Sequence, residues 1–193
     1  MSAFSARVVF VPLFFIMLAG CGKYGAPFAP ESLSPRAVEL LQVTPLIDGV
    51  KFSWKSPGAD QRGKDLRSIG GYKLYRSEGT GPDGFGVPPN SGYTLLSEIE
   101  DRHIAELQRR KAEALAKNEP SSKVKEDPAL SQFEFTDKTP VAGGKYFYRI
   151  VPFNQGDVEG QVRQIVRVAF KGEASEVVFI PVNQIEGLVP EED

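Results

Sequence analysis

Apolar and polar residues alternate along most of the chain beyond residue 38. In "VKFSWKSP" (50–57), Val50, Phe52 and Trp54 fall on one face, and Lys51, Ser53 and Lys55 on the other. "GGYKLYRSE" (70–78) repeats the pattern, with Tyr72 and Leu74 opposed to Lys73 and Tyr75. "YTLLSEI" (93–99), "FEFTD" (133–137), "KYFYRIVPF" (145–153), "VRQIVRVAF" (162–170) and "SEVVFIPV" (175–182) follow, separated by Gly, Pro, Asn and Asp clusters. Period-two alternation buries one side of a strand. Many short strands with turn signals between them predict an antiparallel sandwich. The pattern holds one strand more than seven, so either 162–170 or 175–182 is the usual last strand and the other an extension.

One segment breaks the period. "DRHIAELQRRKAEALAKNEP" (101–120) places Ile104, Leu107, Ala114 and Leu115 near one helical face, with Arg109, Arg110 and Lys117 elsewhere. Asp101 can cap its start, and Asn118 and Pro120 suit its end. "SSKVKEDP" returns as a polar loop. A strand pair is closed by a few residues, so the connection 100–132 is not required by the fold. It is the candidate partner surface, carried by Ile104, Leu107, Arg109 and Arg110 together with the glycine loop 79–92. The alternative is that the apolar stripe docks on the domain's own sheet. Arg109-Arg110-Lys111 reads as a solvated face, or as a contact for anionic lipid or lipopolysaccharide headgroups.

The N-terminus has a different character. Arg7 and the α-amino group precede an uncharged apolar block, Val8 to Ala19, too short for a comfortable bilayer span but suited to a signal segment. Leu18-Ala19-Gly20-Cys21 then holds the chain's only cysteine. The tetrad resembles the lipobox of bacterial lipoproteins. That resemblance implies cleavage before Cys21, lipidation of its thiol and attachment to a bilayer, each buried methylene contributing about 0.8 kcal/mol. Gly22 rather than aspartate then favours an outer membrane, with the domain facing the periplasm. The expected division is a signal peptide at 1–20, a lipidated Cys21 with a proline-rich tether to 37, a domain at 38–182 and an acidic tail at 183–193.

Within the domain, "DGVKFSWKSP", "IGGYKLYRS", "FEFTDKT" and "GGKYFYRIVPFN" occur in the order seen in the fibronectin type III family, which the chain resembles. Trp54 matches that family's strand B tryptophan, and Tyr72 with Leu74 its inward strand C pair. Tyr146, after Gly143-Gly144, matches the tyrosine corner, whose hydroxyl bonds backbone a few residues upstream. The resemblance implies an all-β, fibronectin type III/immunoglobulin-like sandwich, here with a helical insertion.

Charge and chemistry narrow the function. There are 23 basic and 25 acidic residues, a formal charge of −2, which offers no basic field for nucleic acid. Gly79-x-Gly81-x-x-Gly84 lacks the following helix that holds a pyrophosphate, because Pro82, Pro88 and Pro89 intervene. No cofactor is expected. His103 is the only histidine, so no His/Cys metal set can form. It reads as an exposed, inert residue on a charged helix. Carboxylate pairs such as Glu98 with Glu100, or Glu191 with Glu192, are ordinary on an acidic surface. The expectation is a non-catalytic binding or scaffolding module with an envelope protein as partner. The alternative is a carbohydrate-binding accessory domain of envelope polysaccharide metabolism, for which exposed Tyr75, Phe85 and Tyr93 would be the platform.

Overall fold

The alternation at 49–55 and 71–78 becomes the heart of two sheets in a computed structural model, which describes residues 29–186. The elements are β1 (Glu39–Leu46), β2 (Gly49–Lys55), β3 (Gly71–Glu78), β4 (Thr94–Glu100), helix α1 (His103–Ala116), β5 (Gln132–Asp137), β6 (Lys145–Phe153), β7 (Gln164–Ala169), β8 (Glu176–Pro181) and a short α2 (Val182–Glu186). A three-stranded sheet, β1-β2-β5, faces a five-stranded one, β4-β3-β6-β7-β8, and every pairing is antiparallel. This is the fibronectin type III-like sandwich with a helix inserted between β4 and β5. It also settles the surplus strand. β7 pairs with β6 and takes the last position, while β8 is added outside it.

The core lies where the inward faces meet. Val50, Phe52 and Trp54 of β2 pack against Tyr72, Leu74, Tyr148, Ile150, Val166 and Val168 of the larger sheet. Trp54 meets Tyr72 edge-on, with ring centroids 5.3 Å apart at 71°. Phe133 of β5 closes the trio at 4.7 Å from Tyr72. Aromatic pairs in this geometry add about 0.5–1.5 kcal/mol beyond the area they bury.

Strand ends sort the loops onto two poles. Glu39 pairs with Lys55, Lys55 with Gln132, Gly71 with Glu100 and Phe153, and Gln164 with Pro181. Residues 29–38, the loops 56–70 and 154–163, the insertion and α2 therefore share one pole, called terminal below. At the far pole, Tyr146 accepts a hydrogen bond of 2.9 Å from the Val141 N–H, five residues upstream, as the tyrosine corner requires. A Cβ on Gly144 would lie 2.5 Å from the Tyr146 hydroxyl, so this corner admits only glycine.

Two expected boundaries move. The proline-rich stretch is not a free tether up to 37. Pro30–Leu33 forms a 3-10 turn, Ser34 and Pro35 are buried, and Pro35 bridges Asp60 while the Arg36 N–H donates to the Ala59 carbonyl at 3.0 Å. The acidic tail does not start at 183, because residues 182–186 are helical and the Val182 N–H donates to the Arg163 carbonyl at 3.1 Å. Helix α1 starts at His103 and ends at Ala116. Asn118, at φ 58°, takes the left-handed turn that ends it. Cys21, the expected signal peptide 1–20 and residues 187–193 lie outside the described residues. No helix among the described residues is long and apolar enough to cross a membrane.

Candidate functional site

The insertion is moored by a buried carboxylate. Asp101 precedes α1, and its Oδ1 accepts the His103 N–H at 2.9 Å and meets His103 Nδ1 at 2.6 Å. Its Oδ2 accepts the Tyr72 hydroxyl at 2.5 Å and the Ser56 hydroxyl at 3.1 Å. With a carboxylate facing Nδ1, that nitrogen is assigned the proton. Burial pushes the Asp101 carboxyl up, but the hydrogen bonds from His103 and Tyr72 outweigh it and hold the group below the ordinary aspartate value. Burial, and then the charge of Asp101, push the Tyr72 phenol far above its ordinary value.

His103 is thus not the exposed, inert residue its place on a charged helix suggests. It is 7% exposed, because the turn at Asp101 folds its ring inward onto the carboxylate. Its other ring nitrogen lies 3.7 Å from Glu126 Oε1, in the loop that closes the insertion. The cluster holds a serine, a histidine and an aspartate but is not wired as a nucleophilic triad. Ser56 and His103 each bond to Asp101, and among the described residues no hydrogen bond joins the serine to the imidazole.

The candidate surface on α1 is only partly available. Ile104 packs against the core, and Leu107 is half-buried. Ala114 is buried, whereas Leu115, expected on the same stripe, is 60% exposed. Arg109 is exposed but bonded within its own helix to Glu106 at 2.6 Å and to Glu113. Arg110 is half-buried and has no ion-pair partner among the described residues. Nor do helix and glycine loop form one surface. The loop leaves the far pole after Glu78 and folds across the outer face of the larger sheet, and no hydrogen bond or ion pair joins it to α1 among the described residues.

On that outer face the three aromatics considered for sugar stacking are half-buried, and cations lie over their rings. The Arg149 guanidinium sits between Tyr75, at 4.8 Å, and Tyr93, at 4.4 Å, and donates to Asn90 Oδ1 at 3.1 Å. Lys145 and Arg167 lie over Phe85 at 3.9 and 4.6 Å. A ring face that already holds a cation is not a bare platform for a sugar. Burial pushes the Tyr93 phenol up to about 12. The Tyr93 hydroxyl and Arg149 Nε are buried without a hydrogen-bond partner.

A broad concavity lies beside this face. An open groove of about 1440 Å³ at the terminal pole is lined by residues 38–41, 87–90, 161–165 and 181–183, with Arg149 and Ile185. β1 and β8, which contribute to its walls, are the outermost strands of their sheets. Between the pairs Glu39–Lys55 and Gln42–Ser53, Leu40 and Leu41 both oppose Trp54, which is a β-bulge. Leu41 turns to the core. Leu40 sits at φ 50° and is 75% exposed on the groove wall. No periodicity in the sequence marks the groove, because its residues come from five separate places in the chain. Among the described residues no group of three or more His, Cys, Asp or Glu could hold a metal ion.

No protein-family model matches the chain, and no curated protein matches it. Among solved structures it is similar to the twitchin kinase region from C. elegans, at 16% identity and a TM-score of 0.41, over 72% of this chain and 17% of that one. It is also similar to the third fibronectin III domain of the human KIAA0343 protein, at 11% identity and a TM-score of 0.36, over 83% of this chain and 93% of that domain.

Proposed function

We propose that the chain is a lipid-anchored, non-catalytic binding or scaffolding module of a bacterial envelope. The anchor rests on Leu18-Ala19-Gly20-Cys21 behind an uncharged apolar block. The module rests on the open groove of about 1440 Å³ between two free sheet edges, the observation that carries the reading. Acylated Cys21 would hold the domain on the periplasmic side of an outer membrane. From Cys21 to Ala29 an extended chain reaches about 26 Å, at ~3.3 Å per residue. The terminal pole, with groove and insertion, would then lie toward the lipid surface while an envelope protein is held there.

The test is metabolic labelling with a radioactive fatty acid. Wild-type protein should carry label and Cys21→Ser should not. Equal labelling of the two would remove the anchor. Recovery of a defined envelope partner with the wild type, and its loss when the chain no longer partitions with membranes, would support the scaffold.

A further inference from the structure

The groove has features that select the shape of its occupant. Because the Val182 N–H donates to the Arg163 carbonyl, the same parity turns the backbone groups of residues 176, 178 and 180 toward β7. The N–H and C=O groups of Val177 and Phe179 therefore point outward at the open edge. Pro181 lacks an N–H and ends the run where β8 enters the groove. An unpaired edge of this kind is a template for an extended chain.

The walls add side-chain selection. Leu40 holds a left-handed backbone, which strains any residue other than glycine. The result is an aliphatic side chain 75% exposed on the groove wall. A bulge that re-aims one side chain at a sheet edge is a recurrent device for contact. Gln161, Gln164 and Asn183 also line the groove, and their amides can bond to a peptide backbone. Arg149 and Arg163 face a single lining carboxylate, Glu39, and Arg163 has no ion-pair partner among the described residues. The tyrosine sandwich fixes the Arg149 guanidinium in place.

We infer that the groove takes an extended segment of a partner protein in which aliphatic and acidic residues alternate, an aliphatic side chain resting on Leu40 and a carboxylate meeting Arg163 and Arg149. This rests on the binding-module reading and names its partner class. The amides of Gln161, Gln164 and Asn183 suit a peptide backbone, and the free edge of β8 at Val177 and Phe179 continues from the groove; an acyl chain would have no use for either.

A phage library of random dodecapeptides, panned against the purified full chain, tests it. Enriched peptides should carry an aspartate or glutamate at alternating spacing from Val, Ile or Leu. Leu40→Ser and Arg163→Glu should each weaken them on the order of ten-fold or more, with unchanged unfolding midpoints. Arg163→Glu should also shift the enriched set toward basic peptides. Three outcomes overturn the inference: no enrichment, an enriched set without acidic residues, or peptides that bind the double variant undiminished. In the last case the chain remains a binding module and the surface lies elsewhere. Two controls use no peptide. Binding to phosphatidylglycerol vesicles that Leu40→Ser abolishes would make the occupant lipid, and self-association that Leu40→Ser abolishes would make it a second copy. Either result also overturns the inference. Fatty-acid labelling of Cys21 is unaffected by all of these, so the anchor and the groove fail separately.

Discussion

Asp101 and Asp137 are 4% and 3% exposed, each ends or follows a strand, and each accepts a tyrosine hydroxyl from the larger sheet. At the far pole, Asp137 takes the Tyr148 hydroxyl at 3.0 Å, the Arg76 guanidinium at 2.9 Å and both the N–H and hydroxyl of Thr139. At the terminal pole, Asp101 takes neutral hydroxyls from Tyr72 and Ser56 and two contacts from His103. One carboxylate is paired with a permanent cation and belongs wholly to the sandwich. The other is satisfied partly by the first residue of an inserted helix. The lesson is that the insertion is tied into the core chiefly at its first turn, the body of the helix adding the bond from Gln108 Nε2 to the Arg67 carbonyl at 3.2 Å.

The largest expected effect is at the permanent pair. Asp137→Ala leaves the half-buried Arg76 without its carboxylate and should cost about 3–5 kcal/mol in urea unfolding. A loss below about 1 kcal/mol would mean that water compensates Arg76 and the contrast is empty. Asp101→Ala leaves the Tyr72 and Ser56 hydroxyls and the His103 N–H without their acceptor and should cost less, about 2–3 kcal/mol. It should also speed amide exchange in α1 selectively; uniform acceleration over the sandwich would show that the helix is no separate unit.

Acid should act on both clusters. Each carboxyl lies below its ordinary value, Asp137 because the hydrogen bonds of Thr139 and Tyr148 and the charge of Arg76 outweigh the upward push of burial. A depressed carboxyl adds stability that is complete above the unfolded value of about 3.9 and is lost as the pH falls through the folded value. The midpoint should therefore hold from neutral pH to about 5 and fall below 4. With Asp101→Asn and Asp137→Asn combined, the acid slope should shrink; an unchanged slope would place the acid sensitivity in other carboxyls.

The smallest effect separates mooring from length. Replacing residues 105–130 by a short Gly-Asn linker keeps Asp101, His103 and Ile104, and should leave the midpoint nearly unchanged. Replacing the whole of 100–132 removes the carboxylate as well, and should cost about as much as Asp101→Ala. If the shorter replacement is equally costly, the body of the helix belongs to the core.

The sandwich was legible in the sequence because β2 and β3 each bury one face and their alternation records it, while β6, buried on both faces, shows as an apolar and aromatic run. β1 was not, since it is an edge strand carrying Pro45 and a bulge at Leu40 and Leu41 that breaks the period. Helix α1 was legible from its caps and period, but the burial of His103 was not. That burial depends on Tyr72 and Ser56, remote in sequence, meeting at Asp101. The sole local clue was an aspartate two residues before a histidine at a helix start. The two halves of the expected partner surface separated for the same reason: strand direction, which periodicity does not encode, starts the glycine loop at the far pole and lays it across the outer face of the larger sheet, while the helix leaves from the terminal pole. The groove was invisible because five separate parts of the chain make it.

The clasp around Pro35 has a mechanical meaning. Its carbonyl accepts from the Gln161 N–H at 3.3 Å and the Gln61 side chain at 2.7 Å, and a Cβ on Gly160 would lie 2.1 Å from that carbonyl oxygen. Tension arriving through the leading segment therefore reaches the loops 58–61 and 160–161 before it reaches β1. An edge strand pulled from its end would otherwise unzip one hydrogen bond at a time. Here a pull on the leading segment would first have to break the bonds that Pro35 and Arg36 make to these loops, so the buried knot at Ser34 and Pro35 would shield β1 from the load.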